Sequence, residues 1–280
     1  MEKIKRAIEA SKKNKKSHHE TEKLPQQIIP HEVINQKELS ESDNTNIQYE
    51  QTKVLSLNYD RMAKNRIVAL NKNNHLSITF DILRTQIIEK MAKNNWRTIA
   101  ITSPVPECGK TMVSINLAMS IAHQTNRTAM LVDFDLRRPS ISKYLGLPSN
   151  TSLNDVLAGE ATIEDSLVNP GLERLVILPT ERPVKNSSEV LSSRKVSNLV
   201  TELRERYVER IVIFDLPPLL GSDDAMIMMS QVDCVLVVVG NGMVSKAELT
   251  ESMRYVDSGK LLGTVLNKSN SEQSNRGYYY

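Results

Sequence analysis

Apolar and polar residues change their rhythm near residue 54. Residues 1–16, MEKIKRAIEASKKNKK, set Ile4, Ala7 and Ile8 at helical spacing and then gather Lys12, Lys13, Lys15 and Lys16. That spacing predicts a short basic helix. Residues 17–52 are polar with scattered apolar positions, the composition of a linker with little fixed structure. Beyond it, LSITFDILRTQIIEKMAK places Phe80, Leu83, Ile87 and Met91 on one helical face. RTIAITS then reads as a buried strand, KTMVSINLAMSIAHQ as a helix and TAMLVDFD as another buried strand. RLVILPT, RIVIFDLPP, CVLVVV and GTVLNK are further short apolar runs, rich in β-branched residues. Helical segments such as KVSNLVTELRERY and KAELTESMRYVDS separate them. Strands apolar throughout, alternating with helices, predict a mostly parallel sheet with helices on both faces. The expected domain is a doubly wound α/β fold over 54–270, with its ligands at the carboxyl ends of the strands. Residues 271–280 follow as a tail with no apolar anchor before its three tyrosines, so it is expected to be mobile.

Composition narrows the picture. Hydrophobic residues make up 40% of the 280, enough for a sizeable core, but aromatics only 4%, so that core is aliphatic. The net charge of +3, from well-mixed acids and bases, argues against nucleic acid as a partner. Cys108 and Cys234 are far apart and Cys234 opens an apolar run, so a reducing compartment is expected. No stretch reaches the ~18 apolar residues of a transmembrane helix, and the first residues lack the apolar core of a secretory signal. The expected location is cytoplasmic, with any membrane link made through a partner. The lysine cluster then reads either as a solvated tail or as a docking segment for a membrane-associated partner.

One junction carries candidate chemistry. In ITSPVPECGKTMVSINLA, Gly109-Lys110-Thr111 stands between a strand and a helix, the place where backbone N–H groups cradle phosphate. Lys110 would reach the β- and γ-phosphates and Thr111 would ligate Mg²⁺. Pro104 stands where the general pattern has its first glycine, and Glu107 and Cys108 fill positions suited to small residues. MLVDFDLRRPS ends a strand with Asp133 and Asp135, and IVIFDLPPLLGSDD ends another with Asp215. One such acid reads equally well as a cap on the next turn; three at one sheet edge beside a phosphate loop suit Mg²⁺. TVLNKSN puts Asn267 at a late strand end, with Asn270 where a guanine-reading NKxD motif needs Asp. ATP is therefore the expected nucleotide. Cys108, beside Lys110 at a helix N-terminus, raises an oxidation hypothesis; the plainer reading is a small residue tolerated in the loop.

Together these segments resemble the bacterial tyrosine kinases of capsule and exopolysaccharide loci, in the cytoplasmic, separately encoded form. The resemblance runs from about residue 54 onward and touches the basic first segment. SPVPECGKT lies where that family has its Walker A, MLVDFDLRRP its Walker A′, IVIFDLPP its Walker B, and GYYY its autophosphorylation cluster, Tyr278, Tyr279 and Tyr280. The resemblance implies a P-loop NTPase fold of the MinD/ParA-like class and a protein-tyrosine autokinase using ATP and Mg²⁺. It implies phosphate and nucleotide contacts from Cys108, Gly109, Lys110, Thr111 and Met112, and an adenine contact from Asn267. Thr111, Asp133 and Asp215 would serve the metal. Lys110, Asp133, Asp135 and Arg137 would serve catalysis, with Arg137 and Arg138 neutralising phosphate charge. The partners implied are an activating inner-membrane polysaccharide co-polymerase, further copies of the chain, and a tyrosine phosphatase.

Two departures stand out. PECGKT replaces the family's PGEGKT, so a glycine is absent at Glu107 and a different loop path or weaker binding is expected. The family's ring-interface motif ExxRxxR aligns with ITFDILR, where only Arg84 survives and Ile78 and Asp81 fill the other places. The usual ring assembly is therefore not expected. A ParA/MinD-like ATPase switch shares the fold, but its signature lysine would fall at Val105, and it has no use for the tyrosines. A non-catalytic nucleotide-binding regulator is the other alternative.

Overall fold

A computed structural model describes residues 53–269, apart from 56, 72, 125–126, 149 and 208. The expected basic helix over 1–16, the linker over 17–52 and the tyrosine tail lie outside the described residues. All described residues belong to one compact unit spanning 47–280.

Eight strands form one sheet: β1 (Lys53–Val54), β2 (Thr98–Thr102), β3 (Thr128–Asp133), β4 (Val168–Asn169), β5 (Leu175–Leu178), β6 (Arg210–Asp215), β7 (Cys234–Gly240) and β8 (Leu261–Asn267). Their spatial order is β1-β4-β5-β3-β6-β2-β7-β8. Every pairing is parallel except β4 with β5. Strands β2, β3, β5 and β6 are buried at every position, as all-apolar runs require when both sheet faces are covered. Successive residues feed opposite faces. Ile99 and Ile101 join a core with Leu131 and Ile213, while Ala100 joins the other with Val132 and Phe214. Phe134 packs edge-on against Phe214, ring centroids 5.5 Å apart. Strand β8 departs from the expected all-buried pattern: it lies at the sheet edge, its burial alternates, and Leu266 is 61% exposed.

Helices α1 (Tyr59–Lys64), α2 (His75–Lys93), α3 (Lys110–Gln124), α4 (Ile141–Leu145) and α5 (Leu153–Ala158) come first in the chain. After them come α6 (Ile163–Ser166), α7 (Ser187–Leu191), α8 (Arg194–Glu205), α9 (Asp224–Met229) and α10 (Lys246–Arg254). Asn74 caps α2, its side chain accepting from the Leu76 N–H at 3.0 Å. Along α2, Ile87 and Met91 are buried and Leu83 packs against the same core, as the spacing predicts, whereas Phe80 is only half-buried. Helix α8 buries Val196, Leu199, Val200 and Leu203, one stripe at i, i+3, i+4 and i+7. Each such side chain contributes roughly 1.5–3 kcal/mol when fully buried, enough to dock a helix of three turns. The sheet thus delivers the ends of β2, β3, β6 and β8 to one edge, where the candidate chemistry lies.

Candidate active site

The loop after β2 is bent by two residues with left-handed backbone, Glu107 at φ 63° and Gly109 at φ 91°. An L-residue pays roughly 1–2 kcal/mol for that region, so position 107 favours glycine. The chain nevertheless keeps the glycine-like conformation there instead of taking a different one. The loop is braced from the segment after β6. Thr102 Oγ1 donates to the Pro217 carbonyl at 2.7 Å, and the Leu219 and Leu220 N–H groups donate to the Ser103 and Pro104 carbonyls. From β8, Asn267 Nδ2 donates to the Cys108 carbonyl at 2.8 Å. The Cys108 side chain points the other way and is wholly buried in the core. Only the backbone of Cys108 is placed to serve a ligand, and its burial removes the basis for the oxidation hypothesis.

Helix α3 begins at Lys110 and drives a compact polar cluster against the sheet. Lys110 Nζ lies 2.8 Å from Asp135 Oδ2 and 3.7 Å from Asp215 Oδ2. Thr111 Oγ1 donates to Asp215 Oδ2 at 2.6 Å, and Ser114 Oγ, one turn along the helix, donates to Asp215 Oδ1 at 3.0 Å. Thr111 Oγ1 also lies 3.2 Å from Ser140 Oγ. Lys110, Thr111, Asp135 and Asp215 are therefore brought together, as their positions in the sequence predict.

Asp133 meets a different fate. It lies directly across from Asp215 in the β3–β6 register. Yet its Oδ2 accepts from the Ser140 and Ile141 N–H groups at 2.9 and 3.0 Å, and its Oδ1 from the Asp135 N–H at 3.2 Å. It ties down the turn that leads into α4, the capping role open to any one strand-end acid. Arg137 stands in the cleft wall, but one edge of its guanidinium is already held. Its Nε and Nη2 bond to the buried Asp224 at 3.0 and 3.2 Å, not to the lysine cluster. Met112 lines the cleft from the first turn of α3, and its Cε lies near Gly109. Arg84 is held inside the chain, its Nη1 donating to Asp81 Oδ1 at 2.9 Å and Ser120 Oγ at 3.1 Å.

The electrostatics follow from burial. Loss of solvent, then the Asp215 charge, push Asp133 up to about 8. Desolvation also raises Asp215, against the pull of Lys110 and Thr111. Burial alone would lower Lys110; the charges of Asp215, Asp135 and Asp133 and the Asp135 hydrogen bond outweigh it and hold the ammonium above its ordinary value. One lysine cation is thus shared among several buried carboxyls.

The cluster opens into a cleft of about 1220 Å³ whose walls include Lys110, Asp135, Arg137, Arg138 and Asn267. Small-molecule pockets run to about 300–1,000 Å³, so this open cleft is as roomy as the largest of them. Among the described residues, no group of three or more His, Cys, Asp or Glu is spaced to hold a metal. The paired hydroxyl and carboxylate of Thr111 and Asp215 nevertheless fit Mg²⁺, which takes few protein oxygens and fills its shell with phosphate and water. No described helix is long and apolar enough to cross a membrane.

Sequence reading missed Ser114, Ser140, Asn116 and Asp224. Asn116 is fully buried on α3 and spends both ends of its amide on backbone. Its Oδ1 accepts from Val68 and Ala69, and its Nδ2 donates to the Arg66 and Met112 carbonyls. It bolts residues 66–69 beside the cleft. For Ser114 and Asn116, a polar residue within the otherwise apolar α3 was the available signal.

Comparisons with known proteins bear on the fold that carries this cluster. Residues 96–262 match the family described as AAA domain. The chain is 29% identical over 207 residues to a putative tyrosine-protein kinase, CapB, of Staphylococcus aureus, covering 73% of this chain and 90% of that one. It is 29% identical over 222 residues to the tyrosine-protein kinase YwqD of Bacillus subtilis, covering 78% and 92%. The kinase domain of the Escherichia coli tyrosine kinase ETK superposes with a TM-score of 0.68 at 25% identity, over 76% of this chain and 84% of that one. The septum site-determining protein MinD of Pyrococcus horikoshii, solved with Mg-ADP, superposes at 0.50 with 26% identity, over 62% and 72%. The sheet is thus the MinD-like P-loop fold expected from the sequence, and the chain belongs to the AAA-domain family, among its bacterial tyrosine kinases.

Proposed function

We propose that this chain is an ATP-dependent protein-tyrosine kinase that phosphorylates the tyrosines at 278–280 of its own sequence. The carrying observation is the Lys110–Asp135–Asp215–Thr111 cluster at the head of an open cleft of about 1220 Å³. Backbone N–H groups of Cys108 to Met112 hold the phosphates, and Lys110 leaves Asp135 to meet the β- and γ-phosphate oxygens. Asn267 Oδ1, without a partner among the described residues, accepts from the adenine amine. Thr111 and Asp215 would hold Mg²⁺, with Asp133 fixing the turn behind them. Such a cation would supply neutralisation of phosphate charge.

Asp135, released by Lys110, orients the acceptor phenol. The phenolic oxygen bonds to the γ-phosphorus, the bond from that phosphorus to the bridging oxygen breaks, and ADP leaves with the electron pair. The phenolic proton passes to the Asp135 carboxylate. The tyrosines themselves lie outside the described residues. From Asn267, the 11 residues to Tyr278 span at most ~36–40 Å when extended, enough to reach a neighbouring copy.

The same reading extends to setting. The chain would regulate exopolysaccharide or capsule synthesis from the cytoplasm, assemble with further copies of itself, and be reset by a tyrosine phosphatase. A membrane polysaccharide co-polymerase would activate it, with residues 1–16 as the docking segment. The domain boundaries at 53/54 and 270/271 belong to this proposal.

The test is incubation of the full chain with Mg·ATP and mass spectrometry of its C-terminal peptide. Phosphate on Tyr278, Tyr279 or Tyr280, lost in Lys110→Met, is the expected result. ATP hydrolysis with no phosphotyrosine would favour the ATPase-switch reading instead.

A further inference from the structure

Asp224 is a buried acid that the chemistry above does not use. It opens α9, is wholly buried, and lies 87 positions from Arg137 in sequence. Its Oδ2 accepts from Arg137 Nε at 3.0 Å and its Oδ1 from Arg137 Nη2 at 3.2 Å. Ser188 Oγ, on α7, donates to the same carboxyl at 2.7 Å and lies 2.6 Å from Asp223 Oδ1. Ser187 Oγ in turn accepts from Arg137 Nε at 3.0 Å. The fork therefore takes up Nε and Nη2 of the guanidinium. Nη1 has no partner among the described residues, and Arg137 stands in the wall of the cleft that Lys110 heads.

From this arrangement we infer that Asp224 is a positioning residue for phosphoryl transfer: it clamps one edge of Arg137 so that the free Nη1 edge is presented to the transferring phosphoryl group. The inference rests on the kinase reading above. A planar guanidinium gripped along one edge has its other edge fixed in direction, which an untethered arginine lacks. Such pre-set donors act on charge that develops in the transition state and cost no reorganisation when it forms. Burial by itself would raise Asp224; hydrogen bonds from Arg137, Ser187 and Ser188 outweigh it and keep the carboxyl below its ordinary range. Asp224 is thus a fixed anion across the working pH range, acting as an anchor and not as a proton carrier. Ser188 locks the anchor from α7, so the clamp joins the loop after β3 to two helices.

The test is a double-mutant cycle on the full chain with Mg·ATP, reading ATP affinity and the rate of tyrosine phosphorylation separately. Asp224→Asn should lower kcat by about 10-fold or more while leaving ATP affinity within about twofold, since misorientation harms the transition state more than the ground state. In an Arg137→Ala background, Asp224→Asn should cost nothing further. Should Asp224→Asn fail to fold, Ser188→Ala loosens the clamp without stranding a charge and should lower kcat by about 2–5-fold, with ATP affinity unchanged. Wild-type rates in both clamp variants would overturn the inference. So would an Asp224→Asn loss of equal size with and without Arg137, which is the signature of a structural acid. A wild-type chain that makes no phosphotyrosine would instead overturn the kinase reading.

Discussion

Gly109 and Asn267 offer a sharp test of how the phosphate loop is held. Gly109 stands at φ 91°, and a methyl group there would collide with the Asn267 amide nitrogen, itself bonded to the Cys108 carbonyl. Gly109→Ala therefore carries two penalties. The backbone conformation costs an L-residue roughly 1–2 kcal/mol, and displacement of the Asn267 amide forfeits a hydrogen bond worth about 1 kcal/mol. The single variant should lose about 2–3 kcal/mol. Asn267→Ala should lose only the hydrogen bond, about 1 kcal/mol. In the double variant that bond is lost once, not twice, so it should be no less stable than Gly109→Ala alone. The coupling is about 1 kcal/mol, within the range for residues in contact. Denaturant unfolding of the full chain measures it; thermal midpoints should track it at roughly 2–4 °C per kcal/mol. Strict additivity of the two single costs would refute the claim that Asn267 closes the loop over Gly109.

Three further outcomes follow from the same site. Glu107→Gly should stabilise the chain by about 0.5–1 kcal/mol, because relief of the left-handed strain exceeds the extra flexibility of an unfolded glycine; a lower melting temperature would contradict the strain at φ 63°. Asp133 is raised from its ordinary 3.8 to about 8, so the folded chain binds that proton more tightly than the unfolded chain. Its stabilising contribution is complete below the ordinary value and is lost as pH rises through about 8. The melting temperature of nucleotide-free protein should accordingly fall between pH ~5 and ~8, and Asp133→Asn should flatten that fall; an equal slope in the variant would remove Asp133 as its source. The Cys108 thiol should stay unlabelled by a water-soluble disulfide reagent until the chain unfolds, and rapid labelling of native protein would show that its burial is wrong.

The sheet was legible because its central strands are covered on both faces, which forces unbroken apolar runs such as RIVIFD. The two-residue strands β1 and β4 carry no such run, and five-residue helices such as α4 are too short to show a period. At the site, Gly109-Lys110-Thr111 announces itself because the phosphate-binding residues are contiguous and sit at a strand-to-helix junction. Asp215 is legible as the polar end of an apolar strand. Asp224 is not, because its partner Arg137 lies far away in sequence and only the fold brings them together. Arg137 was read as a phosphate ligand from its place after Asp135; the structure shows that one edge of it answers to a buried acid on another helix. Asp133 was read with the metal ligands from its place at a strand end. Pattern alone cannot distinguish a carboxyl turned to solvent from one turned to three backbone N–H groups.

The charge arrangement also explains why Lys110 alone cannot complete the site. In the nucleotide-free chain it serves as counter-ion for Asp135 and, more distantly, Asp215. Moving its ammonium toward an incoming triphosphate would leave those carboxyls facing each other and the phosphate with no cation between them. A buried charge stripped of its partner costs several kcal/mol, more than one phosphate hydrogen bond returns. Two remedies are built into these residues. Asp133, raised to about 8, stays protonated below that pH and adds no charge to the repulsion. Thr111 and Asp215 present paired oxygens where a hard cation arriving with the phosphates restores neutrality. The second remedy needs no further acid to be protonated, and so leaves Asp135 able to accept a phenolic proton. Nucleotide affinity in this site should therefore depend on a divalent cation more strongly as pH rises and the first remedy is lost.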